Sequence, residues 1–129
     1  MGDLLGMGVR FGNASPVMLA GEGLETMLSL RNVISAPAIA GLSAPHLAAV
    51  LFPADLHRLY VARDDDPAGT AALATLTERA TQAGIDIVPL EPQLDDFNSD
   101  LRAFGREQLA ARLHAQLRAE DAECLMRVR

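Results

Sequence analysis

Lysine is absent from this 129-residue chain; all eleven basic residues are arginine. Chemistry that needs a side-chain amine is therefore excluded. That covers a Schiff base with a carbonyl substrate, the lysine of a phosphate-binding loop and the lysine of a phosphoacceptor receiver domain. Tryptophan is absent too, and only four Phe and one Tyr accompany an apolar fraction of 50%. The core must be aliphatic, built from Leu, Val, Ile and Ala. Cys124 is the one cysteine, so no intrachain disulfide can form, as is usual in a reducing compartment. No run approaches the roughly 20 apolar residues of a membrane span. The N-terminus lacks the basic region and long apolar core of a secretory signal, and a cytoplasmic protein with no membrane contact is the expectation. Cationic excess is missing as well. The formal net charge is −6, which argues against tight autonomous binding to a phosphate backbone, because that affinity comes from many cationic contacts.

What is present suits one domain with a real core, since the length is too short for two. Residues 1–15 are Gly-rich and read as an extension, with an edge strand within 8–12. Pro16 opens a strand at 17–20, and apolar residues Leu24, Met27, Leu28 and Leu30 give a short helix over 24–32. A strand follows at 37–40. Ser43 then reads as the N-cap of a helix over 44–51, with Pro45 in its first turn. The continuous apolar run 59–62 reads as a buried parallel strand. Asp66 caps the longest helix, 67–83, with Pro67 at its first position and Gly84 as its stop. A strand at 85–90, an acidic loop over 91–100 and an amphipathic helix over 106–118 complete the domain, assigned to 16–118. Residues 119–129 read as a tail, frayed from Glu120. Strands alternating with helices predict an α/β fold, with a mainly parallel sheet of about four strands flanked by helices.

Acidic groups fall where strands end. Glu22 lies in Gly21-Glu22-Gly23 directly after the first strand. The bland reading is a turn whose glycines supply unusual backbone angles. A dinucleotide-binding reading fails, because Thr26 stands at the third glycine position and Glu22 would meet the pyrophosphate. Asp64, Asp65 and Asp66 follow the strand at 59–62. Helix capping explains one or two of these carboxylates but does not require three in a row, which repel one another. A strand continuing through them would point Asp64 and Asp66 to one side. Asp95-Asp96-Phe97-Asn98 follows the last strand and adds Asp96 as a third ligand candidate. In a parallel sheet these loops share one edge, where ligands bind, and an all-oxygen donor set suits Mg²⁺. His46, His57 and His114 are scattered, with no zinc-ligand spacing, and no Gly-x-Ser-x-Gly hydrolase elbow occurs.

The succession Gly21-Glu22-Gly23-Leu24-Glu25-Thr26, Ala40-Gly41-Leu42-Ser43, Asp64-Asp65-Asp66-Pro67-Ala68-Gly69 and Asp96-Phe97-Asn98 resembles a Toprim domain. The likeness is greatest to the type found in primases and primase-helicases of phages, plasmids and other mobile elements, and it extends over about residues 8–117. The resemblance implies a compact Rossmann-like fold, a Mg²⁺ (or Mn²⁺) site and nucleotidyl transfer or phosphodiester chemistry on nucleic acid. It casts Glu22 as the acid/base, Asp64 and Asp66 as metal ligands, and Asp96 as an acidic position of the third motif. Relatives of this type tend to have a small residue where Arg63 stands, a non-acidic one at Asp65 and often a basic one at Asp95. The site here is more acidic, and Arg63 is a candidate phosphate contact that would offset this. Primase relatives carry a zinc-binding module and further DNA-contacting segments. Their absence from this chain suggests a fragment, a split gene product or a remnant. Two functions follow: a catalytic Toprim domain acting on DNA and nucleotides, or a non-catalytic module. In either case the expected partner is a replication protein that supplies zinc-binding or helicase parts.

Overall fold

The computed structural model describes residues 9–64 and 66–126. Ten elements follow one another: β1 Val9–Phe11, β2 Val17–Gly21, α1 Leu24–Arg31, β3 Ala38–Ala40, α2 Ala44–Ala48, β4 Arg58–Ala62, α3 Pro67–Ala83, β5 Asp86–Leu90, α4 Phe97–Gln116 and α5 Ala119–Leu125. The strands form one sheet in the order β1-β3-β2-β4-β5. β3, β2, β4 and β5 are parallel, and β1 joins β3 as an antiparallel edge. The four-stranded parallel sheet expected from the alternation is present, with the 9–11 segment added at its margin.

The layers follow from the direction of each crossover. The chain steps outward from β2 to β3, then passes back across β2 to β4 and on to β5. Right-handed crossovers taken in opposite directions put α1 on one face and α2 and α3 on the other. Side chains alternate accordingly. Leu19, Ala38, Ala40, Tyr60 and Ala62 face a core shared with α1, α4 and α5, whereas Met18, Ala20, Ile39, Leu59 and Val61 face one shared with α2 and α3. Both cores are mainly aliphatic, as the scarcity of aromatics requires; Tyr60 and Phe97 are the large aromatic side chains fully buried among the described residues.

α3 has the bounds expected from its signals. The Asp66 carboxylate accepts the Gly69 amide at 2.6 Å, Pro67 begins the helix, and Gly84 ends it in a left-handed conformation at φ 74°. Gly69, Ala72, Leu76 and Ala80 form its buried stripe. Burying a leucine such as Leu76 stabilises by about 2 kcal/mol.

Two expectations at the C-terminal end are corrected. The segment read as a loop over 91–100 already contains the first turn of α4, capped by Asp96, whose carboxylate accepts the Ser99 amide at 2.8 Å. Gly105, at φ 85° and ψ 169°, interrupts α4, so the amphipathic stretch expected from 106 is its second half. The tail expected to fray from Glu120 is the helix α5. Its Asp121 is buried and accepts from Arg58 at 2.8 Å and from the Tyr60 hydroxyl. The same hydroxyl accepts the Arg118 amide at 3.0 Å. Arg58 also pairs with Asp86 at 3.1 Å, and Ile34 forms an antiparallel bridge with Met126. Long-range polar bonds and burial hold this segment where no local signal announces it.

Candidate functional site

β2 and β4 lie side by side, with Gly21 opposite Ala62 at the end of their register. Beyond that pair the chain leaves in opposite directions, to α1 and β3 on one side and to α3 and β5 on the other. This is the topological switch point, where a crevice opens at the carboxyl edge of a parallel sheet. Glu22 follows β2 by one residue and Asp64 follows β4 by two.

Gly21 and Gly23 do not supply unusual backbone angles, since neither has a positive φ. Gly21 serves close packing instead: a Cβ there would lie 2.5 Å from Met27 Sδ and 3.2 Å from Ala62 Cβ. The loop after β3 pins the Glu22 backbone. Gly41 N–H donates to the Gly21 carbonyl at 2.8 Å, and Leu42 N–H donates to the Glu22 carbonyl at 2.7 Å. Leu42 holds φ 76°, a left-handed conformation that strains a residue with a Cβ. Sequence reasoning gave no signal for it.

Asp64 and Asp66 are not presented by a continuing strand, because β4 stops at Ala62. A turn presents them. The Asp66 amide donates to the Asp64 carbonyl at 2.9 Å. Gly69 packs so closely that a Cβ would fall 2.7 Å from the same carbonyl oxygen. Asp65 lies outside the described residues. Asp66 uses Oδ1 in the α3 cap and Asp96 uses Oδ1 in the α4 cap; in each the Oδ2 oxygen takes no part in the cap.

The sheet topology, not electrostatics, places the loops that carry Glu22, Asp64, Asp66 and Asp96 at one edge, and their charges oppose one another there. Burial pushes Asp64 up to about 6, and the negative charges of Glu22, Asp66 and Asp96 push in the same direction. Glu22 is also raised, first by burial and then by Asp66. The other three residues singled out in the sequence, Glu22, Asp66 and Asp96, are thus near enough to Asp64 for their charge to act on it. Among the described residues, no three His, Cys, Asp or Glu side chains already stand in an arrangement that would hold a metal ion. The donor chemistry, all carboxylate oxygen with mutual repulsion to be offset, fits a hard divalent cation.

Arg63 donates to Glu91 Oε1 at 2.9 Å, across the ends of β4 and β5. His46 lies in the first turn of α2, and its amide donates to Ser43 Oγ at 3.2 Å; His57, His114 and Cys124 are exposed. Sequence reasoning passed over Asp100, which is 1% exposed. Its signal was its place in the first turn of a helix that Asp96 caps.

The sequence profile of the Toprim domain matches residues 17–107, from the start of β2 into α4. The crystal structure of the Aquifex aeolicus primase, comprising its zinc-binding and RNA polymerase domains, is similar with a TM-score of 0.55 at 20% sequence identity. The match covers 79% of this chain and 26% of that one. This chain thus spans about a quarter of the primase structure, and the likeness is one of fold. No curated protein has a matching sequence. Among the described residues, no helix is long and apolar enough to cross a membrane. With the profile matched over well more than half of its length, on a mostly parallel sheet flanked by helices, the chain belongs to the Toprim domain family.

Proposed function

We propose that this Toprim domain performs Mg²⁺-dependent nucleotidyl or phosphodiester chemistry on nucleic acid, of a primase-related kind. One observation supports the reading: Glu22 and Asp64 follow the adjacent parallel strands β2 and β4 at the switch point, and the charges of Glu22, Asp66 and Asp96 all act to raise the pKa of Asp64. Asp64, Asp66 and Asp96 are the residues that would hold the metal. A bound Mg²⁺ or Mn²⁺ supplies neutralisation of phosphate charge and orientation of its oxygens. Glu22, whose proton affinity is raised by burial, holds and moves the proton. Arg63 contacts phosphate by exchanging its bond to Glu91 for one to a phosphate oxygen.

The net charge of −6 makes DNA binding weak for the chain alone, so a replication protein with zinc-binding or helicase parts is the proposed partner. A reducing, cytoplasmic setting accords with the single Cys124. The second reading, a non-catalytic module, draws on that same charge and on the lack of a ready-formed ligand triad among the described residues.

The test is primer synthesis and nicking on single-stranded DNA with Mg²⁺ or Mn²⁺. Glu22→Gln should abolish activity while leaving Mn²⁺ affinity within about threefold, because the residue is assigned to proton transfer. Unchanged activity in Glu22→Gln contradicts the assignment. Metal binding with no activity on any nucleic acid favours the module.

A further inference from the structure

We propose that Asp100 is a positioning residue of the acidic edge: with the Ser29–Asn98 hydrogen bond, it fixes Asp96 at the edge it shares with Asp64. The inference rests on the metal-site reading above. Asp100 lies in the first turn of α4 and is 1% exposed. Its carboxylate reaches back over the loop that follows β5. Oδ2 accepts the Gln93 amide and Oδ1 accepts the Leu94 amide, each at 2.7 Å. Its own amide donates to the Asp96 carbonyl at 3.1 Å. A buried carboxylate left without its donors is costly, so the loop cannot lift from α4 without stranding it. The loop conformation and the location of Asp96 are set together.

A second tie runs to α1. Ser29 is 4% exposed, and its hydroxyl donates to Asn98 Oδ1 at 3.2 Å. Phe97, between Asp96 and Asn98, is fully buried in the same core as Met27, whose sulfur lies against Gly21. α1 begins at Leu24, two residues after Glu22. Asp100 therefore ties Asp96 to the loop leaving β5, and Ser29 ties it to the helix leaving the Glu22 turn. Two elements far apart in sequence are held in register at the sheet edge. Asp100, Ser29 and Asn98 each act through Asp96.

The test is a double-mutant cycle read as Mn²⁺ affinity by titration calorimetry, with circular dichroism as a check on folding. Asp100→Asn keeps the shape of the side chain and gives up one acceptor oxygen. It should weaken Mn²⁺ binding about tenfold, as loss of an orienting partner does, and should have no further effect in an Asp96→Asn background. Equal weakening in both backgrounds marks a merely structural role and overturns the proposal. So does wild-type affinity in Asp100→Asn when Asp96→Asn alone binds more weakly. Should Asp100→Asn unfold the chain, Ser29→Ala takes its place, since it removes one hydrogen bond and leaves no buried charge. The same loss, confined to the background that retains Asp96, is expected, and its absence overturns the proposal. A wild-type chain that binds no Mn²⁺ contradicts the metal reading itself, and this inference with it.

Discussion

Asp64 carries its proton to higher pH than a solvated carboxylate, because burial removes water from it and Glu22, Asp66 and Asp96 surround it with negative charge. Its folded value, about 6, lies above the ordinary 3.8. Between those values the folded chain binds the proton that the unfolded chain has released, so stability falls as pH rises through that window. Ionised Asp64 is a burden on the fold that a cation would relieve. Asp64→Asn should therefore melt a few degrees above wild type at pH 7.5 without metal, and the gain should shrink at pH 4.5. Thermal unfolding followed by circular dichroism checks this, and a variant less stable than wild type at pH 7.5 would contradict it. Mn²⁺ binding by the wild type should weaken as pH falls through about 6, because the proton and the metal compete for the same oxygens.

Among the elements, α5 is the one whose place depends most on distant partners. Arg58 and Tyr60 on β4 converge on Asp121. Burial, and then the bond to Asp121, push the Tyr60 hydroxyl up to about 12. Asp121→Ala leaves both groups without that acceptor and should cost about 3 kcal/mol, as loss of one partner from a buried pair does. Urea unfolding measures it; a loss within the ~1 kcal/mol of an exposed ion pair would make α5 peripheral. The tyrosine adds an alkaline limit. Its proton is held more tightly in the folded chain, so its contribution is lost as pH rises from 10 towards 12.

The same distinction explains what the sequence made legible. α3 was readable at both ends because Asp66, Pro67 and Gly84 act through their own backbone neighbours. The loops after β2, β4 and β5 were readable as one edge because strand–helix alternation makes these strands parallel. α5 was not, since Asp121 lies 61 residues from Tyr60. The first half of α4 was hidden by Gly105, which breaks its periodicity, and by acidic residues that resemble a solvated loop. Asp100 looked like one more surface acid until its two backbone donors were placed.

For the whole molecule, charge and length set the terms. The net charge of −6 opposes a polyanion, and the acidic edge adds to that where the reaction is proposed to occur. The isolated chain should show little retention of single-stranded DNA near physiological salt without divalent metal, and more with Mg²⁺, in a fluorescence anisotropy titration. Tight metal-independent binding would contradict this. Mg²⁺ should also stabilise the fold by mass action. With a dissociation constant on the order of 1 mM, 10 mM Mg²⁺ contributes about 1.4 kcal/mol, a rise of roughly 5 °C for a chain of this size.

Titration calorimetry of Mn²⁺ into the wild-type chain and into Asp64→Asn/Asp66→Asn, at pH 7.5, bears most directly on the acidic edge as a cation site. Binding on the order of 1 mM or tighter in the wild type, lost in the double variant, is the expected result. No binding by the wild type, or equal binding by both proteins, would contradict it.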